Sequence, residues 1–437
     1  MKKATTEHVC DHSRSPSRRD FLKRSAAAAG GLTAMTSQAG PVHAAGSDVI
    51  RLGLVGCGGR GTGAAVQALR ADPGARLVAV NDAFEDRLEA SLTNMQKQKD
   101  LSDRVVVDRD HRFVGFDGYR DVIASDVDAV LLATPPHFRP LQFRACIEAG
   151  KHVFAEKPVA VDAPGVRSVL ETTEMARRKG LCVVSGLNGR YSPSLQEMNE
   201  QIHGGAIGEV LALHVARYGG GVWTRPREPG MTEMEYQMRN WYYFTWLSGD
   251  FNVEQFVHQL DRMAWVMNDE YPERCYATGG RQARTGPEFG HIYDHFSSVF
   301  EYPGGVRVFA TTRHQRGCSN ESQALVIGTK GLADLSKGTT SGPQPWQVTQ
   351  RDRSDSHQLE QDAFLAALRA GTVINNGQYM AKSTLMAIME RMSAYTGQSL
   401  TWDQVMNSQE DLSPSAYTWE ADPPPAEVAV PGVTKFV

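Results

Sequence analysis

Val49-Ile50-Arg51-Leu52-Gly53-Leu54-Val55-Gly56-Cys57-Gly58-Gly59-Arg60-Gly61-Thr62-Gly63 turns a short apolar run straight into a glycine-paved helix start. Gly56, Gly58 and Gly61 carry the G-x-G-x-x-G spacing. In a dinucleotide-binding turn the first glycine permits a tight bend and the second admits the pyrophosphate against bare backbone, while the third lets the helix pack close. The helix N-terminus then presents free N–H groups to phosphate. After a helical stretch from Gly63 to Arg70, Leu77 to Asp82 reads as a second buried strand, ending in an acid 21 positions beyond Gly61. A carboxylate there accepts hydrogen bonds from the adenosine ribose hydroxyls. Asp82 therefore predicts NAD in preference to NADP, whose 2'-phosphate would meet its charge. Arg87 stands within reach of the same ribose edge and keeps NADP possible.

Outward from this turn the pattern is α/β, a doubly wound parallel sheet over residues 48–188. A helix begins near Asp121, and Val127 to Ala133 is a fully apolar strand broken by Thr134-Pro135-Pro136. Ligands of open parallel sheets sit beyond such strand ends, which brings Arg60, Thr134, Pro135 and His137 to the cofactor edge. Pro140 to Gly150 reads as an amphipathic helix. The short strand His152 to Ala155 then delivers Glu156-Lys157-Pro158 to that same edge. A lysine beside an oxidised nicotinamide meets a like charge and partial desolvation, both of which lower its pKa and ready it for proton transfer.

Residues 1–44 read as an address, not as fold. Ser17-Arg18-Arg19-Asp20-Phe21-Leu22-Lys23 matches a twin-arginine export signal, the small-residue run Ala26 to Ala39 follows, and Val42-His43-Ala44 fits a cleavage site. A periplasmic protein that engages the twin-arginine machinery already folded is expected, with its nucleotide loaded beforehand and tightly held. The chain carries 46 Lys and Arg against 50 Asp and Glu. The first 44 residues are basic, so the remainder is more acidic still, and nucleic acid is not an expected partner. Beyond the leader no apolar run is long enough to span a bilayer. Of the six cysteines, Cys10 falls in the leader, and Cys57, Cys146, Cys182, Cys275 and Cys318 are scattered without a C-x-x-C pair, so no disulfide framework is indicated.

The combination G-C-G-G-R-G, A-T-P-P-H and A-G-K-H-V-F-A-E-K-P resembles the glucose-fructose oxidoreductase, inositol dehydrogenase and rhizopine-catabolism (Gfo/Idh/MocA) family of NAD(P)-dependent enzymes. The resemblance runs from about Ile50 to about Ser408. It implies that Lys157 reaches the reacting carbinol of a sugar or polyol, that Glu156 helps hold the nicotinamide ribose, and that the Lys157–Pro158 peptide is cis. It also implies an α+β second domain, residues 189–408, with an open, largely antiparallel sheet. Strands are legible there at Val210 to Arg217, Val299 to Tyr302, Val306 to Thr312 and Ala324 to Gly328.

In Gly249 to Asp261, G-D-F-N-V-E-Q-F-V-H-Q-L-D, Glu254 and His258 stand four apart and share one face of a regular helix. Relatives carry G-G-x-x-x-D-x-G-x-H here, so the resemblance makes His258 the acid/base and Glu254 its orienting carboxylate. Glutamate replaces aspartate and Phe256 replaces glycine. A neighbouring carboxylate would raise the imidazole from its usual pKa of ~6.5. Arg190, Arg239, Asn240 and Tyr242 are candidate substrate contacts, the last three in a stretch rich in aromatics and polar forks. In His291 to Phe296, strand alternation places His291, Tyr293 and His295 opposite Asp294; no metal is assigned there, and none elsewhere.

Gln358 to Ala370 and Ala381 to Thr396 read as amphipathic helices. Residues 409–437 lack periodicity and are expected to form an extended arm that wraps a neighbouring surface or subunit. The expectation is an exported oxidoreductase, a homodimer or homotetramer, that transfers hydride between retained NAD(P) and a sugar, glycoside or polyol. An NAD-dependent glycosidase of the glycoside hydrolase family 109 type is the alternative; its motif lacks the E-K-P lysine. A non-catalytic binder holding NAD as a plug is a third, against which Lys157 and His258 speak.

Overall fold

The computed structural model describes residues 48–349 and 355–437. The expected export leader, residues 1–44, lies outside them. Strand β1 (Ile50–Val55) is buried almost throughout because its apolar residues face helices on both sides of the sheet. It leads into helix α1 (Gly59–Ala71), and then β2 (Ala75–Asp82), β3 (Arg112–Val114), β4 (Ala129–Leu132), β5 (His152–Ala155) and β6 (Val183–Ser185) complete a parallel sheet. Its order is β3-β2-β1-β4-β5-β6, so the order in which strands are added reverses between β1 and β4. Such a switch point opens a crevice at the carboxyl ends of those strands.

The glycine turn explains its own spacing. Gly56 has φ +96°, and a Cβ on Gly61 would lie 1.8 Å from the Gly56 carbonyl oxygen. A Cβ on Gly58 would meet nothing within 4 Å, so bare backbone faces open space. Before β6, helix α2 (Ala163–Lys179) is capped by Asp162, which accepts from Gly165 N, and closed by Gly180 in the left-handed region.

The second sheet has strands β7 (Val210–Gly219), β8 (Arg274–Gly280), β9 (His295–Glu301), β10 (Arg307–His314), β11 (Glu321–Gly328), β12 (Leu332–Asp334), β13 (Thr339–Ser341), β14 (Trp346–Gln347) and β15 (Leu400–Thr401). The order is β14-β13-β12-β11-β7-β10-β9-β8-β15, and β10 with β7 is its parallel pair. Its inner face packs on helices α3 (Val257–Val266) and α5 (Gly377–Thr396) in a core shared with the first domain. Helix α4 (Ser356–Ala370) belongs to the second domain in sequence. It packs instead against α1, burying Phe364, Leu365 and Leu368 with residues of the first sheet.

One expectation changes here. His291 to Asp294 is not strand, since β9 begins at His295. His291 and Tyr293 are buried, and Asp294 accepts three backbone amides, from Gln282, Ala283 and Arg284, which makes it a loop anchor. Residues 409–437 lie on their own chain, with Phe436 against the main core and Tyr417 and Trp419 in an aromatic cluster. No helix among the described residues is long and apolar enough to cross a membrane.

Replacing Gly61 by Ala drives a methyl into the Gly56 carbonyl and is expected to cost roughly 1–3 kcal/mol. Gly63→Ala, whose Cβ would meet only the Arg60 guanidinium at 3.7 Å, is expected to stabilise by about 0.5–1 kcal/mol through helix propensity. Chemical denaturation of the two variants measures both signs.

Candidate active site

A cleft of about 440 Å³ opens at the switch point, lined on one side by the glycine turn and Arg60 and on the other by Trp223, Arg225 and Trp241 of the second domain. Helix α1 starts at Gly59 with no side-chain cap. Its first amides and the bare edge at Gly58 thus suit a pyrophosphate. Asp82 lines the far end. Its Oδ2 accepts from Cys57 N at 2.7 Å and its Oδ1 from Phe84 N at 3.0 Å, and burial pushes its pKa up. Thr134 and Pro135 line the floor, and Thr134 Oγ1 donates to Gln142 Oε1 at 2.7 Å. The residues present therefore fit a dinucleotide.

Next to this cleft, β5 leads into Glu156-Lys157, and the Lys157–Pro158 peptide is cis. Lys157 Nζ donates to both the carbonyl and the carboxylate Oε1 of Glu254, at 2.6 and 2.9 Å. Both side chains are well shielded, 13% and 16% exposed, so neither ion is simply solvated. Glu254 sits in a π-helical turn, Asn252–Phe256, immediately before α3. Such single turns recur at functional sites. The expected regular helix would have aligned Glu254 with His258; the wider turn sends the carboxylate to Lys157.

His258 consequently has no carboxylate partner and makes no hydrogen bond among the described residues. Burial holds its pKa well below the usual histidine value, and the positive charges of Lys157, Arg262 and Arg217 press it further down. This reverses the expected upward shift. The imidazole is neutral at pH 7 and free to accept a proton.

Behind Lys157, Glu156, His357 and Glu360 bring one donor atom each within 4.8 Å of one another. Arg60 Nε lies 2.7 Å from Glu156 Oε1, so a guanidinium already supplies countercharge to this cluster. His357 Nδ1 and Glu360 Oε1 are 3.1 Å apart. Burial, reinforced by the charge of Glu156, raises the Glu360 carboxyl well above its usual range. Neither His357 nor Glu360 is marked in the sequence, because they come from α4, far along the chain from Glu156.

The four candidate substrate residues separate. Tyr242 is buried with its hydroxyl unpaired, and burial followed by the charge of Glu254 raises its pKa. Arg190 is held in an ion-pair cluster. Its guanidinium is shared between Asp261 and Asp269 at 2.7 and 2.6 Å and lies over the Tyr379 ring. Arg239 pairs with Asp86 and Glu235 beside the Asp82 end of the cleft. Asn240 is wholly buried, its Oδ1 accepting from Arg225 N and its Nδ2 donating to Glu288 O. His137 follows the Pro135-Pro136 turn; its Nε2 is 2.8 Å from the Tyr417 hydroxyl. Trp223, Arg225 and Trp241 escaped sequence reading because they reach the cleft from loops and single turns without periodicity.

Residues 50–187 match the oxidoreductase family with NAD-binding Rossmann fold, and residues 195–334 match the GFO/IDH/MocA C-terminal domain. The chain is 29% identical over 325 residues to inositol 2-dehydrogenase 3 of Saccharopolyspora erythraea, covering 74% of this chain and 83% of that protein. It is 27% identical over 304 residues to inositol 2-dehydrogenase of Serratia proteamaculans, covering 69% and 76%. The fold is shared with scyllo-inositol dehydrogenase from Lactobacillus casei with bound cofactor NAD(H) and scyllo-inositol, at TM-score 0.62 and 17% identity over 81% of this chain and 99% of that one. Aldose-aldose oxidoreductase from Caulobacter crescentus, complexed with glycerol, gives the same TM-score and identity over the same shares of the two chains.

Two measurements follow from the geometry. Arg190→Ala strands the buried carboxylate of Asp261 and is expected to cost about 3–5 kcal/mol in unfolding free energy while leaving KM for the substrate unchanged. The acid limb of kcat/KM, where His258 gains its proton, is expected below pH ~6.5, because a depressed pKa keeps the base form present to lower pH.

Proposed function

Because the chain belongs to the GFO/IDH/MocA oxidoreductases, an NAD(P)-dependent family, we propose that it interconverts a secondary hydroxyl and its carbonyl on a sugar, glycoside or polyol. The observation that carries this reading is the pairing of a shielded ammonium with a neutral, unbonded imidazole beside a dinucleotide-shaped cleft. Bound NAD(P)+ supplies the hydride acceptor. A free nitrogen of the His258 imidazole takes the hydroxyl proton, and Lys157 Nζ, which already donates twice to Glu254, turns a hydrogen bond to the developing alkoxide oxygen. Glu254 keeps the ammonium aimed. The Tyr242 hydroxyl, buried and unpaired, is the donor available to a neighbouring substrate hydroxyl. The inositol dehydrogenase names of the relatives support a cyclic polyol or pyranose as the substrate class.

Asp82 favours NAD, while Arg87 and Arg225 at the same end of the cleft bring charge that would tolerate a 2'-phosphate. The twin-arginine motif at Arg18-Arg19 supports export of the folded protein to the periplasm with its cofactor aboard. In that compartment the nucleotide must be retained and regenerated within the cycle. Self-association as a dimer or tetramer is part of the same reading.

Purified protein incubated with a panel of sugars and polyols is expected to show bound NADH absorbance with at least one of them. His258→Ala and Lys157→Met are each expected to slow its appearance by roughly 10²–10⁴-fold. Absence of reduction with every carbohydrate, in protein shown to carry NAD, contradicts the reading. Release of nitrophenol from aryl glycosides without net NADH points instead to the glycosidase.

A further inference from the structure

The chain from Gln409 to Val437 leaves the second domain, crosses the first and returns. At its start Glu410 pairs with Arg391, whose Nη1 donates to Val161 O at 2.8 Å, and Leu412 N donates to Asp162 Oδ2 at 3.1 Å. In the middle the Tyr417 hydroxyl is 2.8 Å from His137 Nε2. The Trp419 ring lies 4.5 Å from that of Phe116 and 5.0 Å from that of Phe84, centre to centre. On the return Tyr293 Oη donates to Ala429 O at 2.9 Å and Gly432 N to Thr396 O at 3.0 Å. Gln409 N donates to Val437 O at 3.1 Å, so the chain end closes on the root of the segment.

Phe84, Phe116 and Phe138 are wall residues of the cleft beside Asp82. Trp419 and Tyr417 stand behind that wall, Tyr417 with its ring 5.6 Å from Phe138. Burial holds His137 down to about 4, so its ring stays neutral at ordinary pH and its bond to Tyr417 does not depend on titration there. The adenosine end of a dinucleotide lying along the glycine turn toward Asp82 would rest against this aromatic wall. The segment is fastened to the second domain on both sides of the point where it braces the first, and so resists both movement of the wall and separation of the domains.

We propose that residues 409–437 form a latch on the cofactor, in which Trp419 and Tyr417 are positioning residues that hold Phe84, Phe116 and the His137 turn against the adenosine half of bound NAD(P) and so set how slowly it leaves. This rests on the oxidoreductase reading, and it gives retention of the nucleotide a structural cause within one chain. The segment binds nothing itself; it acts through the wall.

The test uses the full-length wild type, Trp419→Ala and Tyr417→Phe, each loaded with NAD and then diluted into excess competing nucleotide while cofactor loss is followed. Melting of the nucleotide-free forms is recorded alongside. Trp419→Ala is expected to release NAD roughly tenfold faster or more, and Tyr417→Phe about two- to fivefold faster, because aromatic contacts and one hydrogen bond are lost from the barrier to exit. Tyr417→Phe removes a single oxygen and keeps the ring, so it decides the matter if Trp419→Ala fails to fold. Release at the wild-type rate from the folded variants overturns the latch and leaves the oxidoreductase reading standing. A wild-type protein that binds neither NAD nor NADP overturns both.

Discussion

The ion pair between Lys157 and Glu254 joins the two halves of the molecule at the place where their chemistry meets. The lysine comes from the end of a parallel strand and the glutamate from a π turn in the second domain, so the pair forms only when both domains are folded and closed. Removing either partner would leave a shielded charge alone, which is far costlier than losing an exposed bridge. The pair therefore ties the end of the first domain's strand to the π turn of the second.

Its second consequence is electrostatic. By taking Glu254 for itself, Lys157 deprives His258 of a carboxylate and places a positive charge near it instead. The histidine becomes a base waiting for a proton, in contrast to a histidine–carboxylate dyad, which would tend to hold one. The protein also contains such a dyad, His357 with Glu360, whose carboxyl burial and the charge of Glu156 push up in pKa. Two histidines with opposite surroundings thus serve one site, one free and one fastened. Arg60 balances the charge of Glu156 and also lines the cleft, which ties the glycine turn to the same network.

The first domain was legible because its signals are local. The glycine spacing demands one backbone path, a positive φ at Gly56 and a missing Cβ at Gly61, and the buried strands read as unbroken apolar runs. The cleft floor at Thr134-Pro135 and the lysine at position 157 follow from strand ends, which a parallel sheet places on one edge. The second domain yielded its strands but not its contacts. Arg239 and Asn240 sit among aromatics as sugar-binding residues do, yet neighbours distant in sequence, Asp86 and Glu288, claim them. The spacing of Glu254 and His258 assumed a uniform helix, and one π turn was enough to change the partner. The terminal arm showed no periodicity because it has no regular structure; its aromatics acquire meaning only from Phe84 and Phe116 across the fold.

The central claim is that Lys157 and His258 share one desolvated site in which burial, reinforced by the ammonium charge, keeps the imidazole pKa low. NMR titration of the His258 ring proton, in the wild type and in Lys157→Met, tests it most directly. The account predicts a wild-type pKa well below ~6.5 that rises when the lysine charge is removed. A wild-type value at or above ~6.5, unmoved by the substitution, would contradict it.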